Sequence, residues 1–560
     1  MISDPHTHHP PGPPSAKLLG RDGKTSYSIQ QRKPEDWVGA AGPEGKGKPK
    51  WTGQDERKAG GIRETATAGL RAPRTTGVSS VFTMPASFMS ILWCLLLTFH
   101  LDLSSPAVEK PTFRPIYSRR PFVVGWNAPT QECPPRHNVP FDLRLFDFSA
   151  SPNEGFVDQK LTMFYKERLG YYPYYDEHNT SYYGGVPQNA SLSAHLSWMQ
   201  EGLKKYINKM VDEEGLAVID WEEWRPIWLR NWIPKHIYRD MSCKLVADRH
   251  PTWPKDNIQK QAQYEFESAA RSFMEQTLLH ARSFRPRQLW GFYLFPDCYN
   301  HDYQTDKERY TGKCPDVEIS RNDQLSWLWE ASTALFPSIY LNQTLESSAQ
   351  GRKFVQFRVK EAMRIANKHH KDYALPVYVY SQPTYMKKMD TLSQIDLVHT
   401  IGESAAQGAA GVIFWGDAEY AKNTESCLKV KSYLEDIFGE YIVNVTTAAD
   451  LCSRFLCSWN GRCLRQHNMT DGFLHLSSES FRIVRAAKGV NTAAPMWAEG
   501  QLSEDDKRYL SSHFRCQCYV DWYGDSCGTQ RSTGNRAGIT GRPRGHWLLG
   551  SLLALLLLLL

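Results

Sequence analysis

The chain has 560 residues, of which 41% are hydrophobic and 22% charged, values that are ordinary for a globular protein. The net charge of +6 at pH 7 is small for this length, so it permits a polyanionic partner without demanding one. No nucleic-acid-binding motif and no concentrated basic stretch follows the N-terminal arm, which argues against a nucleic-acid partner. The load of 18 Trp and 27 Tyr is high; it suits either a large core or a surface that packs against sugar rings.

The N-terminal part of the chain divides into two segments. Residues 1–83 are rich in Pro, Gly, Lys, Arg and Thr without a sustained apolar period, so we expect them to be disordered. Met84 begins a segment with an apolar run and then small residues, the pattern of a signal peptide over residues 84–105. We therefore interpret Met84 as the physiological start and residues 1–83 as an over-extended gene model. The alternative is a genuine cytosolic extension, which would hinder ordinary secretion.

Residues 106–447 alternate short apolar runs with helical stretches, which predicts parallel βα units. The helical spacing is clearest over residues 256–283. The candidate strands are Phe122–Trp126, Leu143–Phe146, Thr162–Tyr165, Leu216–Asp220, Leu289–Phe295, Pro337–Leu341, Pro376–Tyr380 and Gly411–Trp415. About eight such units indicate an α/β fold, a distorted TIM-like (β/α) barrel. The alternative, an open doubly wound sheet, lacks the Gly-rich nucleotide loop after its first strand.

The segment 216–226 carries the strongest chemical signal, because an apolar strand ends there at Asp220. Barrel enzymes place their catalytic groups at this end of a strand. Residues two apart on a strand point the same way, so Asp220 and Glu222 share a face while Glu223 turns away. Two close carboxylates resist ionising together, which lets one remain a protonated acid. The alternative reading, acids that cap the next helix, is weakened by the tryptophans and the arginine beside them.

The spacing of these two acids favours a particular mechanism. Adjacent positions on one strand do not suit an acid and a nucleophile on opposite sides of a glycosidic bond. They suit a substrate-assisted reaction, in which the 2-acetamido oxygen of the sugar attacks its own anomeric carbon. Glu222 would then protonate the leaving oxygen, and Asp220 would orient the acetamido group. This mechanism requires an N-acetylhexosamine beside the bond that is cut.

The cysteines predict an oxidised, extracellular protein. Cys94 lies in the apolar N-terminal run and Cys243 has no neighbouring cysteine, which leaves an even set of ten. A zinc site is the alternative, but the chain lacks paired C-x-x-C knuckles with matching histidines. Six of the ten crowd residues 448–528, with Trp522-Tyr-Gly before the last, so we predict an EGF-like domain there.

The C-terminal residues 529–560 have the composition of a GPI-attachment signal. Small residues precede a polar spacer and then an apolar run over Trp547–Leu560. Asn535 is the attachment point that we expect, Gly534 is an equivalent choice, and a retained tail anchor is the alternative. We expect a cell-surface ectodomain with a further pool in endosomes or lysosomes. The glycosylation sequons lie at Asn179, Asn189, Asn342, Asn444 and Asn468.

Three segments carry a resemblance to a known family. Residues 218–226, Val-Ile-Asp-Trp-Glu-Glu-Trp-Arg-Pro, resemble the active-site signature of animal hyaluronidases, and so do residues 291–301 and 402–411. The resemblance runs from about Arg120 to Cys527. The segment 150–156 and the GPI-type tail make the chain most similar to the GPI-anchored branch of that family.

The resemblance implies roles for individual residues. Glu222 takes the place of the proton donor and Asp220 that of the acid that positions the acetamido group. The implied substrate-binding residues are Tyr340 and Trp415 around the N-acetyl group, Tyr165, Tyr293, Asp297 and Tyr380 along the cleft, and Arg225 and Arg358 near the glucuronate carboxylates. The implied disulfides are Cys133–Cys427, Cys298–Cys314, Cys452–Cys463, Cys457–Cys516 and Cys518–Cys527. Taken singly, the tyrosines and Trp415 suit barrel packing, and Arg358 suits a surface charge.

We therefore predict a monomeric endo-acting hydrolase for the β-1,4 bond after N-acetylglucosamine in hyaluronan, with slower action on chondroitin. It needs neither a metal nor another cofactor, and His301, His369 and His370 do not indicate a metal site. The need for a protonated Glu222 favours an acidic pH optimum. One alternative is a hyaluronan receptor with little turnover. Another is an adhesion protein that acts through its EGF-like domain.

Overall fold

The computed structural model describes most of residues 109–531. Its gaps are residues 118–119, 157–158, 208–209, 467–470 and 488–493. All described residues belong to one structural unit. The predictions of disorder over residues 1–83, a signal peptide over 84–105, a sequon at Asn468 and an attachment point at Asn535 lie outside the described residues.

Strands and helices alternate through the first three quarters of the described chain. The strands are β1 Val123–Asn127, β2 Phe148–Ala150, β3 Leu161–Tyr165, β4 Tyr174–Tyr175, β5 Ser181–Tyr182, β6 Gly215–Asp220, β7 Gln288–Phe292, β8 Tyr378–Ser381, β9 Gly411–Trp415, β10 Gly461–Arg465, β11 Phe481–Arg485, β12 Met496–Gly500, β13 Phe514–Cys518, β14 Trp522–Tyr523 and β15 Thr529–Gln530. The α-helices are α1 Cys133–His137, α2 Leu192–Tyr206, α3 His236–Arg249, α4 Lys255–Phe284, α5 Asp316–Gln324, α6 Ser326–Ala331, α7 Ala349–Lys368, α8 Gln394–Leu397, α9 Glu403–Ala406, α10 Thr424–Leu434, α11 Ile437–Leu456 and α12 Glu504–His513.

Seven parallel strands and one extended segment form the barrel. One sheet has the order β2-β1-β9-β8 and the other the order β3-β6-β7. The segment 335–338 joins them, because Phe336 bridges to Tyr293 after β7, and Ser338 bridges to Tyr380 in β8. Among the described residues no main-chain ladder joins β2 to β3. The prediction of an α/β, TIM-like barrel is therefore confirmed, with one seam that hydrogen bonds of the main chain leave open.

Two predicted strands were placed wrongly. In place of Pro337–Leu341 the structure has isolated bridges at Leu335, Phe336 and Ser338, and the second error concerns Leu143–Phe146. Residues 143–146 form a turn, in which Phe146 N donates to Leu143 O at 3.0 Å, and the strand begins only at Phe148. Pairing with β1 starts at Asp147, whose N–H donates to Val124 O at 2.8 Å. Leu145 and Phe146 are nonetheless buried. An apolar run indicates that its residues are buried, and Leu145 and Phe146 are buried without belonging to a strand.

Alternation along the strands builds two apolar layers. One set of alternate residues packs inside the barrel, and it includes Val123, Met163, Val218, Phe336, Tyr378, Tyr380 and Ile413. The other set packs outward against the helices, and it includes Val124, Trp126, Phe164, Ile219, Trp290, Val379 and Phe414. Gly125 belongs to the inner set because a Cβ atom there would lie 2.1 Å from the ring of Phe148. Large rings opposite glycines fill the barrel interior below its mouth.

The helix predicted over residues 256–283 is α4, Lys255–Phe284. Its buried face carries Ala262, Phe266, Ala270, Phe273 and Leu278, a helical spacing that packs against the outer layer. None of the helices in the described ranges combines the length and the apolar character needed to cross a bilayer.

A helix joins the barrel to the cysteine-rich part of the chain. The boundary predicted between residues 447 and 448 falls inside α11, which continues to Leu456 and carries Cys452. The structure contains the five disulfides that the resemblance implied, Cys133–Cys427, Cys298–Cys314, Cys452–Cys463, Cys457–Cys516 and Cys518–Cys527. Cys243 is a half-buried free thiol, as the count predicted.

Candidate active site

The inner layer of the barrel ends in polar side chains at the carboxyl ends of three adjacent strands. Tyr165, the last residue of β3, is opposite Asp220, the last residue of β6. Tyr293 follows β7 directly, and its N–H donates to Ile219 O at 2.9 Å. Because alternate residues share a face, all three continue the inner set.

Aromatic rings complete this layer. The ring centroid of Tyr293 is 5.2 Å from that of Tyr380 and 6.2 Å from that of Tyr340. The ring of Tyr340 is 6.2 Å from that of Trp415, with an angle of 23° between the planes. We call Tyr165, Tyr293, Tyr340, Tyr380 and Trp415 the pocket ring. The structure therefore brings together five of the eight predicted substrate-binding residues.

The electrostatics of the pocket ring reflect the two acids near it. Burial is the largest influence on its four tyrosines and raises the pKa of each, and the negative charge of Asp220 raises each further. For Tyr293 the charge of Glu222 comes second, ahead of Asp220. The phenols stay neutral at physiological pH and so can donate their O–H groups.

Three side chains hold the main chain of Glu222. Its N–H donates to Glu223 Oε2 at 3.2 Å. Its carbonyl accepts from Arg225 Nη1 at 3.1 Å and from Lys235 Nζ. Glu223 turns away from the pocket ring as predicted, since it is 6% exposed and its Oε1 lies 3.4 Å from Lys166 Nζ. We call residues 221–225 the catalytic loop. Lys166 and Lys235 were not predicted, because they come from other parts of the chain and belong to no motif.

Aromatic stacking holds the catalytic loop from outside the barrel. The ring of Tyr172 lies 4.4 Å from Trp221 and 5.3 Å from Trp224. Trp224 Nε1 donates to Pro173 O at 2.9 Å. The tryptophans on both sides of Glu222 are thus committed to packing. Their burial anchors the loop and leaves the acid at the barrel mouth.

Arg225 has a different place from the one implied by the resemblance. Its guanidinium is buried and donates to the carbonyls of Glu222 and Trp224. Its N–H donates to Asn231 Oδ1 at 2.8 Å. These donors serve the main chain of the catalytic loop, so the geometry supports positioning of Glu222, while a place near glucuronate stays a prediction.

Asp297 and Arg358 lie in a buried network beneath the mouth. Asp297 Oδ2 lies 2.7 Å from Arg230 Nη2, and its Oδ1 lies 3.6 Å from Arg358 Nη1. Burial acts to raise the pKa of Asp297, but Arg230 and then Arg358 outweigh it and hold the value at about 2. Asp297 also accepts from the N–H groups of Cys298 and Tyr299. Its carboxylate thus contacts two guanidinium groups and two main-chain N–H groups of the protein.

Arg358 connects this network to the pocket ring. It donates to Asn300 Oδ1 at 2.9 Å and to Ser338 O at 3.0 Å, and its Nη2 lies 3.0 Å from His301 Nε2. Burial, then Arg358, lowers the pKa of His301 to about 3, so its ring is neutral and accepts from the guanidinium. We call Arg230, Asp297, Asn300, His301 and Arg358 the support network. Arg358 is buried, which contradicts the alternative reading as a surface charge, while its implied place near the glucuronate carboxylates stays a prediction.

Two polar residues of the mouth were missed by the sequence analysis. Ser338 accepts from Tyr293 O–H at 3.3 Å. Asn127 ends β1 opposite Trp415 and donates to Met163 Sδ at 3.1 Å. The alternation that identified the inner layer extends to Asn127, one residue past the predicted strand, so this signal could have found it. The described part of the chain holds no group of three or more His, Cys, Asp or Glu able to bind a metal ion.

Comparisons with known proteins agree with this geometry. A family model described as hyaluronidase, glycoside hydrolase family 56, matches residues 111–531. Hyaluronidase-2 of Mus musculus is 55% identical over 462 residues, which cover 82% of this chain and 96% of that protein. Hyaluronidase-2 of Homo sapiens is 56% identical over 419 residues, which cover 75% and 88%. A crystal structure of bee venom hyaluronidase in complex with a hyaluronic acid tetramer aligns with a TM-score of 0.50 and 29% identity, covering 57% of this chain and 98% of that chain.

Proposed function

The chain belongs to glycoside hydrolase family 56, the hyaluronidases, and from that premise we propose that it hydrolyses hyaluronan with Glu222 as its general acid. The observation that carries this assignment is the meeting of Asp220 and Glu222 with the pocket ring at the carboxyl end of the barrel. Both acids contribute to the raised pKa of Tyr293, so their charges act on one small volume.

The reaction that suits this geometry is substrate-assisted. The acetamido oxygen of N-acetylglucosamine attacks the anomeric carbon, while the β-1,4 bond to the glucuronate oxygen breaks and Glu222 gives its proton to that oxygen. Asp220 holds the acetamido N–H and offsets the positive charge that develops on the group. Water, giving a proton to Glu222, then opens the cyclic intermediate and restores the anomeric configuration. The product retains the β configuration, and the acid is protonated for the next cycle.

The pocket ring has two tasks in this scheme. The phenols of Tyr293 and Tyr340 donate hydrogen bonds to the sugar around the reacting carbon. The indole of Trp415 packs against the methyl group of the acetamide. An extended polymer passes through an open mouth, which makes the cut endo-acting. Chondroitin offers the same acetamido group and is a slower substrate.

The support network and the catalytic loop keep this geometry rigid. Arg225 acts on the carbonyl of Glu222, and Arg358 acts on the carbonyl of Ser338, whose hydroxyl accepts from Tyr293. A general acid requires placement within hydrogen-bond reach of the leaving oxygen. We assign Arg225, Asp297 and Arg358 to positioning and not to contact with substrate.

We propose that the protein acts at the cell surface, with a further pool in endosomes or lysosomes. The signal-peptide pattern of residues 84–105 and the GPI-type composition of residues 529–560 support secretion and lipid anchoring at Asn535. Asn179 lies in the exposed turn between β4 and β5, which is accessible to a glycan. We further propose that the cysteine-rich residues 448–528 form an EGF-like module and that the ectodomain is a monomer.

The first experiment is a size assay on high-molecular-weight hyaluronan across pH 3.5 to 7.5. Wild-type ectodomain is expected to shorten the polymer and to release N-acetylglucosamine reducing ends, most rapidly at the acidic end. Glu222→Gln is expected to leave the polymer intact. Binding of hyaluronan without shortening at any pH, by wild-type protein shown to be folded, would instead support a receptor with little turnover.

A further inference from the structure

Residues 151–156 follow β2 beside the seam that main-chain ladders leave open between β2 and β3. Gln159, just before β3, holds this segment, because its Oε1 accepts from Ser151 N at 2.9 Å and from Phe156 N at 3.1 Å. The segment follows the carboxyl end of β2, so it lies at the mouth of the barrel. With Ala150, the last residue of β2, it makes up residues 150–156, which carry part of the family resemblance and have no role in the proposed reaction.

Glu154 projects a carboxylate into this seam. Its Oε2 accepts from Gln159 Nε2 at 2.8 Å, and its Oε1 lies 3.2 Å from Arg168 Nη1. The side chains of Glu154 and Arg168 are 22% and 12% exposed. Glu154 has a φ of 60°, a left-handed conformation that residues other than glycine seldom adopt. Its carboxylate is therefore held between two partners by a constrained main chain.

Arg168 carries this interaction to the pocket ring. Its guanidinium lies over the ring of Tyr165, at 4.8 Å from the centroid, and over that of Tyr206 at 5.1 Å. It also donates to Met163 O at 3.0 Å and to Pro152 O at 2.8 Å. A cation in this cage has little freedom to move. Its charge sits against the ring of a residue that lines the proposed sugar site.

We propose that Glu154 and Arg168 are positioning residues for Tyr165, and that their combined charge sets how strongly the pocket holds an anionic sugar chain. This inference rests on the proposed function. The pair carries a charge of +1 while Glu154 is protonated and no net charge once Glu154 ionises. Hyaluronan has a carboxylate in every disaccharide, so its affinity falls when the pair becomes neutral.

The change of charge falls in the neutral pH range. Burial raises the pKa of Glu154 to about 7, although Arg168 and a hydrogen bond with the main chain of Met163 act to lower it. Of the groups that face Glu154 in the described residues, Arg168 stays cationic and Gln159 is neutral. Tyr165 also senses this charge, and it stays protonated because its own pKa is raised. Affinity for hyaluronan should then decline between about pH 6 and pH 8, one unit on each side of that pKa.

The test measures binding of a hyaluronan octasaccharide by calorimetry from pH 5 to pH 8. All variants are made in the Glu222→Gln background, so that the ligand is not consumed. The parent is expected to bind about fivefold more weakly at pH 8 than at pH 5, the size of one partly solvated charge contact. Adding Glu154→Gln, which keeps the pair at +1, should hold the strong affinity across the range. Adding Glu499→Gln, which breaks the exposed pair with Arg482, should reproduce the parent.

Arg168 supplies the second arm. Arg168→Gln should bind weakly at every pH, and Arg168→Lys, which keeps the charge but not the planar group, should recover part of the affinity. If Arg168→Gln fails to fold, as circular dichroism would show, the Glu154→Gln comparison decides alone. Unchanged pH dependence in the Glu154→Gln protein would overturn this inference while wild-type cleavage of hyaluronan left the proposed function standing. A wild-type protein that neither binds nor cuts hyaluronan would overturn both.

Discussion

The pocket ring and the support network are both rich in polar atoms and both lie at the carboxyl end of the barrel, yet they use those atoms differently. In the support network each charged group is paired inside the protein, as Asp297 is with Arg230 and two main-chain N–H groups. In the pocket ring most side chains are half-buried, so their phenols can reach a ligand. The difference shows that the role of a polar residue near an active site, support or ligand binding, depends on whether its donors and acceptors point to the protein or to the open site.

The largest expected effect concerns the acid itself. Glu222→Gln removes the transferable proton and should lower kcat by about 10³-fold, within the range for general acid catalysis. The fold should be unaffected, because the main-chain contacts of residue 222 remain. Reducing-end release under saturating hyaluronan measures the rate, and thermal unfolding measures the fold. Retention of a tenth or more of the wild-type kcat would exclude Glu222 as the acid.

Mutation of the support network should lower the unfolding free energy more than it changes substrate binding. Asp297→Asn leaves the buried guanidinium of Arg358 without its anion and that of Arg230 with Glu318 alone, which should cost about 3 kcal/mol of unfolding free energy. Urea denaturation at pH 7 measures it. Activity below the unfolding transition should keep a near-normal KM. A large rise in KM with unchanged stability would mean that Asp297 contacts substrate after all.

The pH dependence of the unfolding free energy tests the role of Asp297 separately. The folded pKa of Asp297 is about 2, below its ordinary value of 3.8. Its stabilising contribution is therefore complete above about pH 4 and is lost as the pH falls towards 2, an amount of about 2 kcal/mol. Wild-type protein should lose that much more stability than Asp297→Asn between pH 4.5 and pH 2. Parallel stability curves for the two proteins would contradict the assignment.

Substitution of a pocket-ring tyrosine should lower the activity of the protein without lowering its stability. Tyr293→Phe removes one hydroxyl and should lower kcat/KM about tenfold, the value of one hydrogen bond to the reacting sugar. Tyr378→Phe is the matched control, since Tyr378 belongs to the same inner layer two residues before Tyr380, deeper in the barrel. Equal effects of the two substitutions on kcat/KM would show that Tyr293 contributes no more to the reaction than a packed interior tyrosine does.

The smallest effect is expected at the catalytic loop. Glu223→Gln weakens the pair with Lys166 and the acceptor for Glu222 N–H, while Arg225 and Lys235 still hold the carbonyl. We expect kcat to fall about threefold with KM unchanged, because only the placement of the acid is loosened. Steady-state kinetics measure it. An effect as large as that of Glu222→Gln would give Glu223 a direct part in the reaction.

Local sequence patterns predicted much of the fold and the centre of the candidate site. The alternation of apolar strands and helical faces predicted the barrel, and the acid pair at the end of the strand Leu216–Asp220 predicted the position of the site at the mouth. The turn at residues 143–146 was misread because an apolar run reports burial alone. The resemblance correctly grouped the tyrosines and Trp415, but it did not distinguish them from Asp297 and Arg358, since a motif does not say whether a residue faces solvent or protein.

The sequence by itself determined the fold class and the class of enzyme and predicted the two acids, because these depend on periodicity and on residue types a few positions apart. Only the tertiary structure decided which polar groups remain available to a ligand. Arg225 and Arg358 donate to main-chain carbonyls. Lys235 donates to the carbonyl of Glu222, thirteen residues earlier in the chain. Glu154 and Arg168 meet across a seam between two strands. Such pairings depend on how separate segments approach in space, and burial then sets the charge each group can hold.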